Sequence, residues 1–414
     1  MTRFSPSDLT ELREAIGDAL AAGEPLELVA GGTKRGLGRP LQVPRTLDLS
    51  ELSGIRDYQP NELVLTAAAA TPLGVIEAAL APARQMLAFE PPNWSRLLGV
   101  PAEGAVRRTI GGALACNLSG PRRIKAGAAR DHFLGFRGVS GRGEMFKSGG
   151  KVVKNVTGYD LSKLIAGSYG TLAAIEEVTV KVLPRPEQCE TIVLCGLDPA
   201  AATRAMSHAL ASPHEVSGAV YLPAGATAAL TSLADLPGIA ALRLEGPPPS
   251  VAFRRERLLA ELTADCDATV LEDEASTAFW RAIRDVEPFA DLAGRTIWRV
   301  LVAPSRGAEL GETIARAVDA TWFVDWGGGL LWVAVASGED MAEDGGALLM
   351  RSAIRGTDGQ GTGHATLIKG SAALRRAVPV FEPQPPALAA LTARVKDSFD
   401  PRHILNPGRM IEGS

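Results

Sequence analysis

Residues 29–38 read VAGGTKRGLG and combine four glycines with the cationic pair Lys34 and Arg35, a composition typical of loops that bind phosphate groups. Successive backbone N–H groups in a glycine-rich turn can form a concave anion site. Glycine permits both positive φ angles and a close approach of the ligand. Lys34 and Arg35 would add positive charge. The alternative for this stretch taken by itself is a tight surface turn, with Arg35 directed to solvent.

The glycine spacing matches neither of the two familiar nucleotide-binding loops. A P-loop requires lysine directly after its second glycine, whereas Leu37 follows Gly36 in this sequence. A Rossmann fingerprint requires a third glycine and a helix, whereas Arg39 and Pro40 follow Gly38. Because proline disfavours a helix directly after the loop, we expect no helix dipole to hold the phosphate.

Short strands and helices surround this loop in the first half of the chain. Ser5 and Pro6 predict a helix with Ser5 as its N-cap, and the helix ends before Gly23. Strand patterns lie at 26–30, 46–50 and 62–70, a helix pattern lies at 72–84, and a hairpin pattern lies at 132–148. Two more glycine-rich stretches follow at 106–122 and 151–183. Pro184 and Pro186 then predict a domain boundary.

The second half repeats strand–helix–strand units, a pattern typical of a ferredoxin-like sheet with helices on one face. The strand patterns lie at 191–197, 218–223, 240–246, 268–273, 296–304, 321–326 and 330–337, and helix patterns at 198–212, 251–264 and 307–318. The proline-rich stretches GPPPS (246–250) and EPQPPA (382–387) predict loops. A last helix at 387–398 precedes FDPRHILNPGRM.

Composition excludes several classes of protein. A net charge of -4 without a Lys/Arg run argues against a nucleic-acid or membrane-surface binder. No run of about eighteen apolar residues predicts a membrane span, and the first residues carry no secretion signal, so we expect a cytoplasmic chain. The four cysteines have no C-x-x-C spacing and the five histidines are dispersed. The sequence therefore predicts neither an iron–sulfur cluster nor a metal site.

The three glycine-rich stretches together resemble the FAD-binding domain of the vanillyl-alcohol oxidase / p-cresol methylhydroxylase (PCMH) family. AGGTKRGLG resembles its pyrophosphate loop, TIGGALACNLSGPRR with GAARDHFLG its second segment, and GGKVVKNVTGYDLSKLIAGSYGTLAAIEEVTVKVLPRP its third. FDPRHILNPGRM resembles its C-terminal ending. The resemblance implies an α+β fold: a two-part PCMH-type FAD-binding domain at 1–187, a ferredoxin-like antiparallel-sheet cap domain at 188–380, and a C-terminal helix and tail at 381–414 that return to the FAD domain.

The resemblance also implies which residues bind FAD. They are Gly31, Gly32, Thr33, Lys34, Arg35, Gly36, Thr109, Ile110, Gly111, Gly112, Asn117, Ser119, Lys154, Gly158, Gly170, Thr171 and Ile175. Asn117 and Ser119 have an alternative as local turn caps. Lys154, which would stabilise charge on the reduced flavin, has an equal alternative as a solvated lysine at a strand end.

Two departures from the family pattern limit what the resemblance implies. Covalent family members attach FAD through histidine, cysteine or tyrosine, and the loop at 31–38 contains none of these, so we expect non-covalent FAD. His132 is a conceivable attachment point, but a structural histidine is the better interpretation. Related hydroxy-acid dehydrogenases bind a metal through clustered cap histidines. Here His208, His214 and His364 are expected to be unclustered, and no metal is predicted.

The second half offers weak catalytic candidates for the oxidation of a 2-hydroxy acid, which needs a proton acceptor and a cation for the carboxylate. Arg299 interrupts an apolar strand, and a charge there must be paired or functional. His364 and Lys369 lie in GTGHATLIKG, which predicts a loop, and Trp326 precedes three glycines and could stack on a ring. The alternatives are an open strand face for Arg299, a polar turn for His364 and the core for Trp326.

Within the family, the sequence most resembles the smaller flavoprotein subunits of bacterial glycolate oxidases. The resemblance implies that glycolate is oxidised to glyoxylate by a complex. The other members of this complex are a larger FAD-domain subunit and an iron–sulfur subunit, and any membrane association would arise through these partner subunits. Two alternatives stay open: a stand-alone FAD-dependent oxidoreductase of a small 2-hydroxy acid or alcohol, and a subunit whose flavin is structural.

Overall fold

The computed structural model describes residues 2–101, 106–150, 158–227, 230, 233, 236–263, 266–336, 344–356, 359 and 361–413. Helices and strands are mixed along this part of the chain, as the sequence predicts. Lys154 lies outside the described residues, so its predicted role stays a prediction.

The strands occupy both halves of the chain and are numbered in chain order. They are β1 (Thr2–Phe4), β2 (Leu26–Val29), β3 (Arg45–Asp48), β4 (Ile55–Gln59), β5 (Val64–Ala68), β6 (Gln85–Met86), β7 (Phe133–Ser140), β8 (Met145–Gly149), β9 (Ala173–Lys181), β10 (Leu183–Pro184), β11 (Gln188–Cys195), β12 (Gly218–Leu222), β13 (Ile239–Gly246), β14 (Ala268–Glu272), β15 (Thr296–Val302), β16 (Ala320–Asp325), β17 (Leu330–Val335) and β18 (Gly363–Lys369).

The helices are short in the first half and longer in the second. They are α1 (Leu9–Ala22), α2 (Leu73–Leu80), α3 (Ile110–Ala115), α4 (Arg123–Ala126), α5 (Ala129–His132), α6 (Leu161–Ile165), α7 (Pro199–Ala211), α8 (Ala224–Thr227), α9 (Pro248–Leu262), α10 (Asp273–Arg284), α11 (Gly307–Ala317), α12 (Ala347–Arg355), α13 (Ala372–Ala377) and α14 (Pro386–Phe399).

The first half is built in two parts. Strands β1, β3 and β2 pair in parallel and pack with α1 around an apolar core that includes Leu12, Ile16 and Leu47. Strands β4, β5, β9, β7 and β8 form an antiparallel sheet, whose core includes Leu65 and Val178. The glycine-rich loop leaves β2 at the boundary between these parts. The predicted two-part domain is therefore present.

The second half contains an antiparallel sheet of eight strands, in the order β14-β11-β13-β12-β16-β17-β15-β18. One face is covered by α7, α9, α11 and α12, with Trp298 and Val300 of β15 directed to this side. Alternate residues of the same strands point to the opposite face, where Phe323 and Trp332 pack with Leu37 and Trp94 of the first half. The predicted antiparallel cap is confirmed. Its helices are not confined to one face, since α8 and α10 pack on the second face, which also meets the FAD-binding half.

A buried network of ion pairs joins the two halves at this interface. Arg243 of β13, only 1% exposed, donates from Nη1 to Glu90 Oε1 at 2.9 Å. Arg122 donates from Nη2 to Glu245 Oε1 at 2.7 Å and also lies beside Glu90. Burial opposes ionisation of Glu245, but Arg243 and Arg122 outweigh it and lower the pKa of Glu245 to about 2. The same two arginines also lower the pKa of Glu90, so both carboxylates stay ionised at neutral pH.

Several local predictions are wrong. Helix α1 begins at Leu9 with Asp8 as its N-cap, because the Asp8 carboxylate accepts from the N–H groups of Thr10 and Glu11. The GPPPS stretch is not all loop, since α9 begins at Pro248, where proline suits the first helical turn. The stretch GTGHATLIKG is not a loop: it forms β18, which gains its hydrogen bonds by pairing with β15.

The sequence interpretation also missed α10, α12 and α13. Within the part of the chain that the structure describes, no helix is long and apolar enough to cross a membrane.

The C-terminal helix and tail return to the first half through a buried charge pair. Lys396 Nζ of α14 donates to Asp400 Oδ2 at 2.6 Å and to the carbonyl oxygen of Thr171 at 2.8 Å. The Asp400 carboxylate, fully buried, also accepts from the N–H groups of Ile404 and Leu405. Asp400 therefore fixes the path of the chain just before the tail reaches the glycine-rich loop.

Substitution of Asp400 should destabilise the fold strongly. We expect Asp400→Ala to lower the free energy of unfolding by about 3 to 5 kcal/mol, because it leaves the Lys396 ammonium buried without its partner. Asp397→Ala is the control, since Asp397 is largely exposed and pairs with His403 at the surface, and its charge acts on Lys396 only from a distance. Urea unfolding followed by circular dichroism measures both. Equal stability of the two variants would contradict the role given to Asp400.

Candidate cofactor site

The glycine-rich loop follows β2 directly and continues as irregular turns without a helix, as the sequence predicts. Gly31 is required by packing, because a Cβ there would lie 1.7 Å from the carbonyl oxygen of Arg107. Gly32 and Gly38 have φ angles of 75° and 74°, a region that favours glycine. The loop conformation therefore depends on glycine at three positions.

Two arginines from the C-terminal part of the chain bind the carbonyl oxygens of this loop. Arg375 of α13 donates from Nη1 to the carbonyls of Gly36 at 2.7 Å and Gly38 at 3.0 Å. Arg409 donates from Nη1 to three further loop carbonyls, at 3.2 to 3.4 Å, and from Nη2 to buried Glu27. The carbonyl oxygens are thus held by two guanidinium groups, of which Arg409 also lines the cleft described below.

The loop keeps amide donors available on its other side. Within the described residues, the backbone N–H groups of Gly32, Lys34 and Gly36 make no hydrogen bond. Because a backbone N–H group is a strong donor, a run of such groups is suited to an anion. Gly32 and Lys34 line the cleft described below, whereas Gly36 does not, so the loop has two free N–H donors on residues that face an anion in that cleft.

Lys34 adds a cation to this loop. Its Nζ donates to Thr33 Oγ1 at 3.1 Å, and burial lowers its pKa to about 8, with a small further lowering by Arg108. No carboxylate contacts Lys34 within the described residues. Arg35 instead pairs with Glu27, with Nε 3.0 Å from Oε1. Arg35 therefore stabilises the loop rather than pointing freely into solvent.

The loop forms one wall of a cleft that is open to solvent, which we call the cofactor cleft. Ten of the predicted residues line it: Gly31, Gly32, Thr33, Lys34, Arg35, Thr109, Gly111, Gly112, Gly170 and Ile175. Apolar residues complete the walls, among them Leu49, Ala69 and Ala173. The combination of an amide-lined, cationic end and an apolar remainder fits a ligand with both a diphosphate and a flat ring, as FAD has.

Six predicted residues lie outside the lining of this cleft. Asn117 Oδ1 accepts from the N–H of Arg130, and Ser119 Oγ accepts from the N–H of Ala129, so both cap the turn before α5. Ile110 is fully buried in the core, and Thr171 donates to the carbonyl of Ser168. The remaining two are Gly36, whose carbonyl accepts from Arg375, and Gly158, which is exposed.

Side chains that could tether a flavin are inert in this arrangement. His132 is buried, with its ring nitrogens 2.9 Å from the carbonyl of Ala126 and 3.3 Å from that of Lys181, and it is a structural histidine as predicted. Cys116 lines the cleft, but burial raises the pKa of its thiol to about 11, which keeps it protonated at neutral pH. Burial also raises the pKa of Tyr169. These properties agree with non-covalent binding.

The cap contributes an arginine next to the cleft. Arg299 of β15 lies on the sheet face that meets the FAD-binding half, with its Cζ 5.0 Å from the ring centroid of Trp326. Burial lowers the pKa of Arg299 to about 10, and neighbouring Arg123 lowers it further. Arg123, from α4, lies 4.3 Å from the same indole. Trp326 is thus a buried core residue that contacts two cations.

The other cap candidates have less support. His364 pairs with Leu301 on the edge strand β18 and is exposed, and Lys369 lies at the end of that strand, where no hydrogen bond to it is seen in the described residues. Sequence reasoning missed Asp325. This residue directly follows Val324 in the chain and lies at the interface between the cap and the first half. Burial raises the pKa of Asp325 to about 7, although the backbone N–H of Trp326 donates to its Oδ1 at 2.6 Å.

Two cap histidines are closer together than the sequence predicts. His208 and His214 both contact Glu261, at 2.8 and 2.9 Å from its two carboxylate oxygens. His208 belongs to α7, His214 follows that helix, and Glu261 belongs to α9, so the three meet on the helical face of the cap sheet. No group of three or more potential metal ligands is found among the described residues.

The arginines behind the loop were also missed by sequence reasoning. Arg375 lies more than 330 residues after Gly36, and Arg409 lies in the tail, so neither has a spacing that connects it with the loop. The only signal was the placement of Arg409 in FDPRHILNPGRM, the segment that resembles the family ending.

Comparison with known proteins identifies a family for this chain. The family described as "FAD binding domain" matches residues 3–149. The glycolate oxidase subunit GlcE of Escherichia coli is 33% identical over 400 residues, which cover 96% of each chain. The glycolate oxidase subunit GlcD of Bacillus subtilis is 42% identical over 85 residues, which cover 20% of this chain and 18% of GlcD.

The fold has a solved counterpart as well. The structure of p-cresol methylhydroxylase with substrate bound superposes with a TM-score of 0.70 at 12% identity, covering 99% of this chain and 88% of the other. FAD is accordingly the cofactor of this chain. The two-part first half, the antiparallel cap and the extended match with GlcE together show that the chain belongs to the PCMH-type family of FAD-dependent oxidoreductases, in the group that contains the glycolate oxidase subunit GlcE.

Proposed function

We propose that this chain is the FAD-binding subunit of a glycolate oxidase complex, which oxidises glycolate to glyoxylate and passes electrons through its flavin to a partner iron–sulfur subunit. The observation that carries this proposal is the 33% identity with GlcE over 96% of both chains. The shorter match with GlcD supports a partner subunit that is larger than this chain and contains a segment related to it. The sequence has no C-x-x-C pair, which favours an external carrier for the electrons.

In this proposal the loop residues Gly31 to Gly36 hold the FAD diphosphate with backbone N–H groups, and Lys34 supplies a positive charge. Arg375 and Arg409 orient the loop from behind. Thr109, Gly111, Gly112, Gly170 and Ile175 form the walls that face the rest of the cofactor. When bound, FAD accepts the two electrons released by the alcohol carbon of the substrate.

We also propose the division of the chain into an FAD-binding domain at 1–187, a cap at 188–380 and a returning tail at 381–414. The strand sets support it, since β1 to β10 lie before the first boundary and the eight-stranded sheet lies between the two. Contacts of Lys396 and Arg409 with the first half support a tail that belongs to the FAD-binding domain.

A second candidate is a stand-alone FAD-dependent oxidoreductase of a small 2-hydroxy acid. The observation that favours it is the position of Arg299 on the cap face, near the cofactor cleft. This cation belongs to the chain itself, so no partner subunit has to supply it. In this alternative the isolated chain needs no partner to reduce its flavin with substrate.

Purification of the chain alone and with its partner subunits separates these proposals. We expect the isolated chain to be yellow, and glycolate to bleach the flavin at a useful rate only when the larger flavoprotein and iron–sulfur subunits are present. Bleaching of the isolated chain by glycolate or D-lactate would favour the stand-alone enzyme. A colourless chain that cannot be reconstituted with FAD would refute both, and a flavin that stays oxidised in the full complex would indicate a structural role.

Removal of the Arg409 guanidinium should weaken FAD binding. We expect Arg409→Met to raise the Kd for FAD at least about tenfold, because charged hydrogen bonds to the loop carbonyls contribute about 1.5 to 3 kcal/mol. Arg402→Met is the control, since Arg402 is an exposed arginine of the same tail. Quenching of FAD fluorescence on binding measures both. An unchanged Kd in Arg409→Met would show that the loop keeps its conformation without this residue.

Lys34 should make FAD binding sensitive to pH. Its pKa of about 8 in the free protein will rise when the anionic diphosphate binds, so protonated Lys34 binds FAD more tightly. Affinity should therefore be highest below about pH 8 and fall as the pH rises above it. Titrations between about pH 7 and about pH 9.5 test this, with Lys34→Met expected to bind more weakly and to lose the slope. A wild-type profile parallel to that of Lys34→Met would exclude Lys34 as the titrating group.

A further inference from the structure

The eight-stranded sheet of the cap has β14 at one edge, and the inner side of this strand pairs with β11. The pairing is antiparallel, with Val193 opposite Thr269. The N–H of Cys195 donates to the carbonyl of Asp267 at 2.8 Å, so this pair is hydrogen-bonded. Hydrogen-bonded pairs alternate along an antiparallel ladder. Thr269 and Leu271 therefore also direct their backbone groups toward β11.

The residues between them direct their backbone groups outward. Within the described residues, the N–H groups of Ala268, Val270 and Glu272 and the carbonyl oxygens of Ala268 and Val270 have no hydrogen-bond partner. Ala268, Thr269 and Glu272 are exposed, so this edge is open to solvent. A row of unpaired backbone groups on an edge strand is a template for pairing with a further strand.

The other edges of the two larger sheets are protected. On β18, the N–H of Leu367 donates to the carbonyl of Val380 at 2.8 Å, so the chain that follows α13 covers that edge. Strand β4 has an irregular register between Ile55 and Asp57, and β8 carries Lys147 at its centre. Bulges and lysines of this kind oppose edge pairing. In contrast, β14 (ATVLE) has a regular register, no proline and no charge before its last residue.

Carboxylates flank both ends of β14. Asp267 lies directly before the strand, Glu272 is its last residue, and Asp273 and Glu274 follow. All four are exposed, and none has an ion-pair partner within the described residues. Opposite charges on directly opposed residues stabilise an antiparallel pair of strands, whereas like charges destabilise it. The edge therefore favours a strand that is uncharged in its centre and basic at both ends.

The same carboxylates disfavour a second copy of this chain as the added strand. Two copies of β14 that overlap fully around Val270 would place Asp267 of each copy opposite Asp273 of the other, which is a repulsive arrangement. A shifted register would lose backbone pairs from a strand of only five residues. The charges thus distinguish a basic partner strand from self-association.

We propose that the outer edge of β14 binds a β-strand of another protein, with β-branched residues in its centre and a lysine or arginine at each end. The added strand extends the cap sheet by one strand, and its backbone groups pair with those of Ala268, Val270 and Glu272. β-Branched residues suit a strand in this position. No residue of β14 lines the cofactor cleft, so this docking surface is additional to the proposed function and independent of FAD.

A short peptide serves as the probe of this surface. It has the sequence Lys-Val-Thr-Val-Thr-Val-Lys, with an N-terminal fluorescein and a C-terminal amide, and the control peptide has Glu in place of both Lys. Fluorescence anisotropy measures binding to the full chain. We expect the wild type to bind the lysine peptide at least about tenfold more tightly than the control peptide. In the double variant Asp267→Lys, Glu272→Lys this preference should reverse, because the charges at both ends are exchanged.

Proline at position 270 tests the backbone contact. Val270→Pro removes an outward N–H and no bond to β11, so the circular dichroism spectrum and FAD content should be unchanged and the affinity for the lysine peptide at least about tenfold lower. Val270→Thr, which keeps the N–H and a β-branched side chain, is the matched control. Hydrogen exchange should slow at Val270 and Glu272 when the peptide binds, and stay unchanged at Thr269 and Leu271, which already bond to β11.

Several outcomes would overturn the proposal. These are no binding of the lysine peptide by the wild type at about 1 mM peptide, equal binding of the two peptides, and wild-type binding by a folded Val270→Pro. Self-association of the wild type that Val270→Pro abolishes, measured by sedimentation, would assign the edge to a second copy instead. If Val270→Pro does not fold, the charge-reversal variant and hydrogen exchange decide the question. Loss of FAD from the wild type would refute the proposed function and leave these measurements valid.

Discussion

A glycine-rich loop without a helix behind it can present its N–H groups to a diphosphate only if its carbonyl oxygens are held elsewhere. Arg375 and Arg409 meet this requirement, since together they bind five consecutive loop carbonyls. In P-loop and Rossmann sites the helix dipole and the helical amides perform this task. Here two guanidinium groups replace the helix, which makes the cofactor site dependent on residues from the end of the chain.

This dependence explains why the tail and the cap are tied so firmly to the first half. Asp400 and Lys396 form a buried pair that fixes the turn before the tail, and Arg409 follows within ten residues. The cap is attached through the Arg243–Glu90 pair. A displacement of either contact would move an arginine away from the loop carbonyls, so the stability of the fold and the retention of FAD are physically connected.

The interface between the two halves contains buried charged groups from both of them. Glu90 and Arg243 form a direct ion pair, whereas Arg123 and Arg299 contact the Trp326 indole, with the charges of Asp131 and Asp325 acting on them from nearby. Asp325, with a pKa raised by burial to about 7, lies close to both sets.

The sequence by itself determined the loop, its lack of a following helix, the antiparallel cap and the family, because glycine spacing, proline positions and hydrophobic alternation are local properties. It could not determine that β18 is a strand, since this strand depends on hydrogen bonds to β15. Nor could it assign Asn117 to a turn cap or connect Arg375 with Gly36. Only the tertiary structure decided these points, because a side chain acquires its partner, its burial and its pKa from residues that are distant in the sequence and adjacent in the fold.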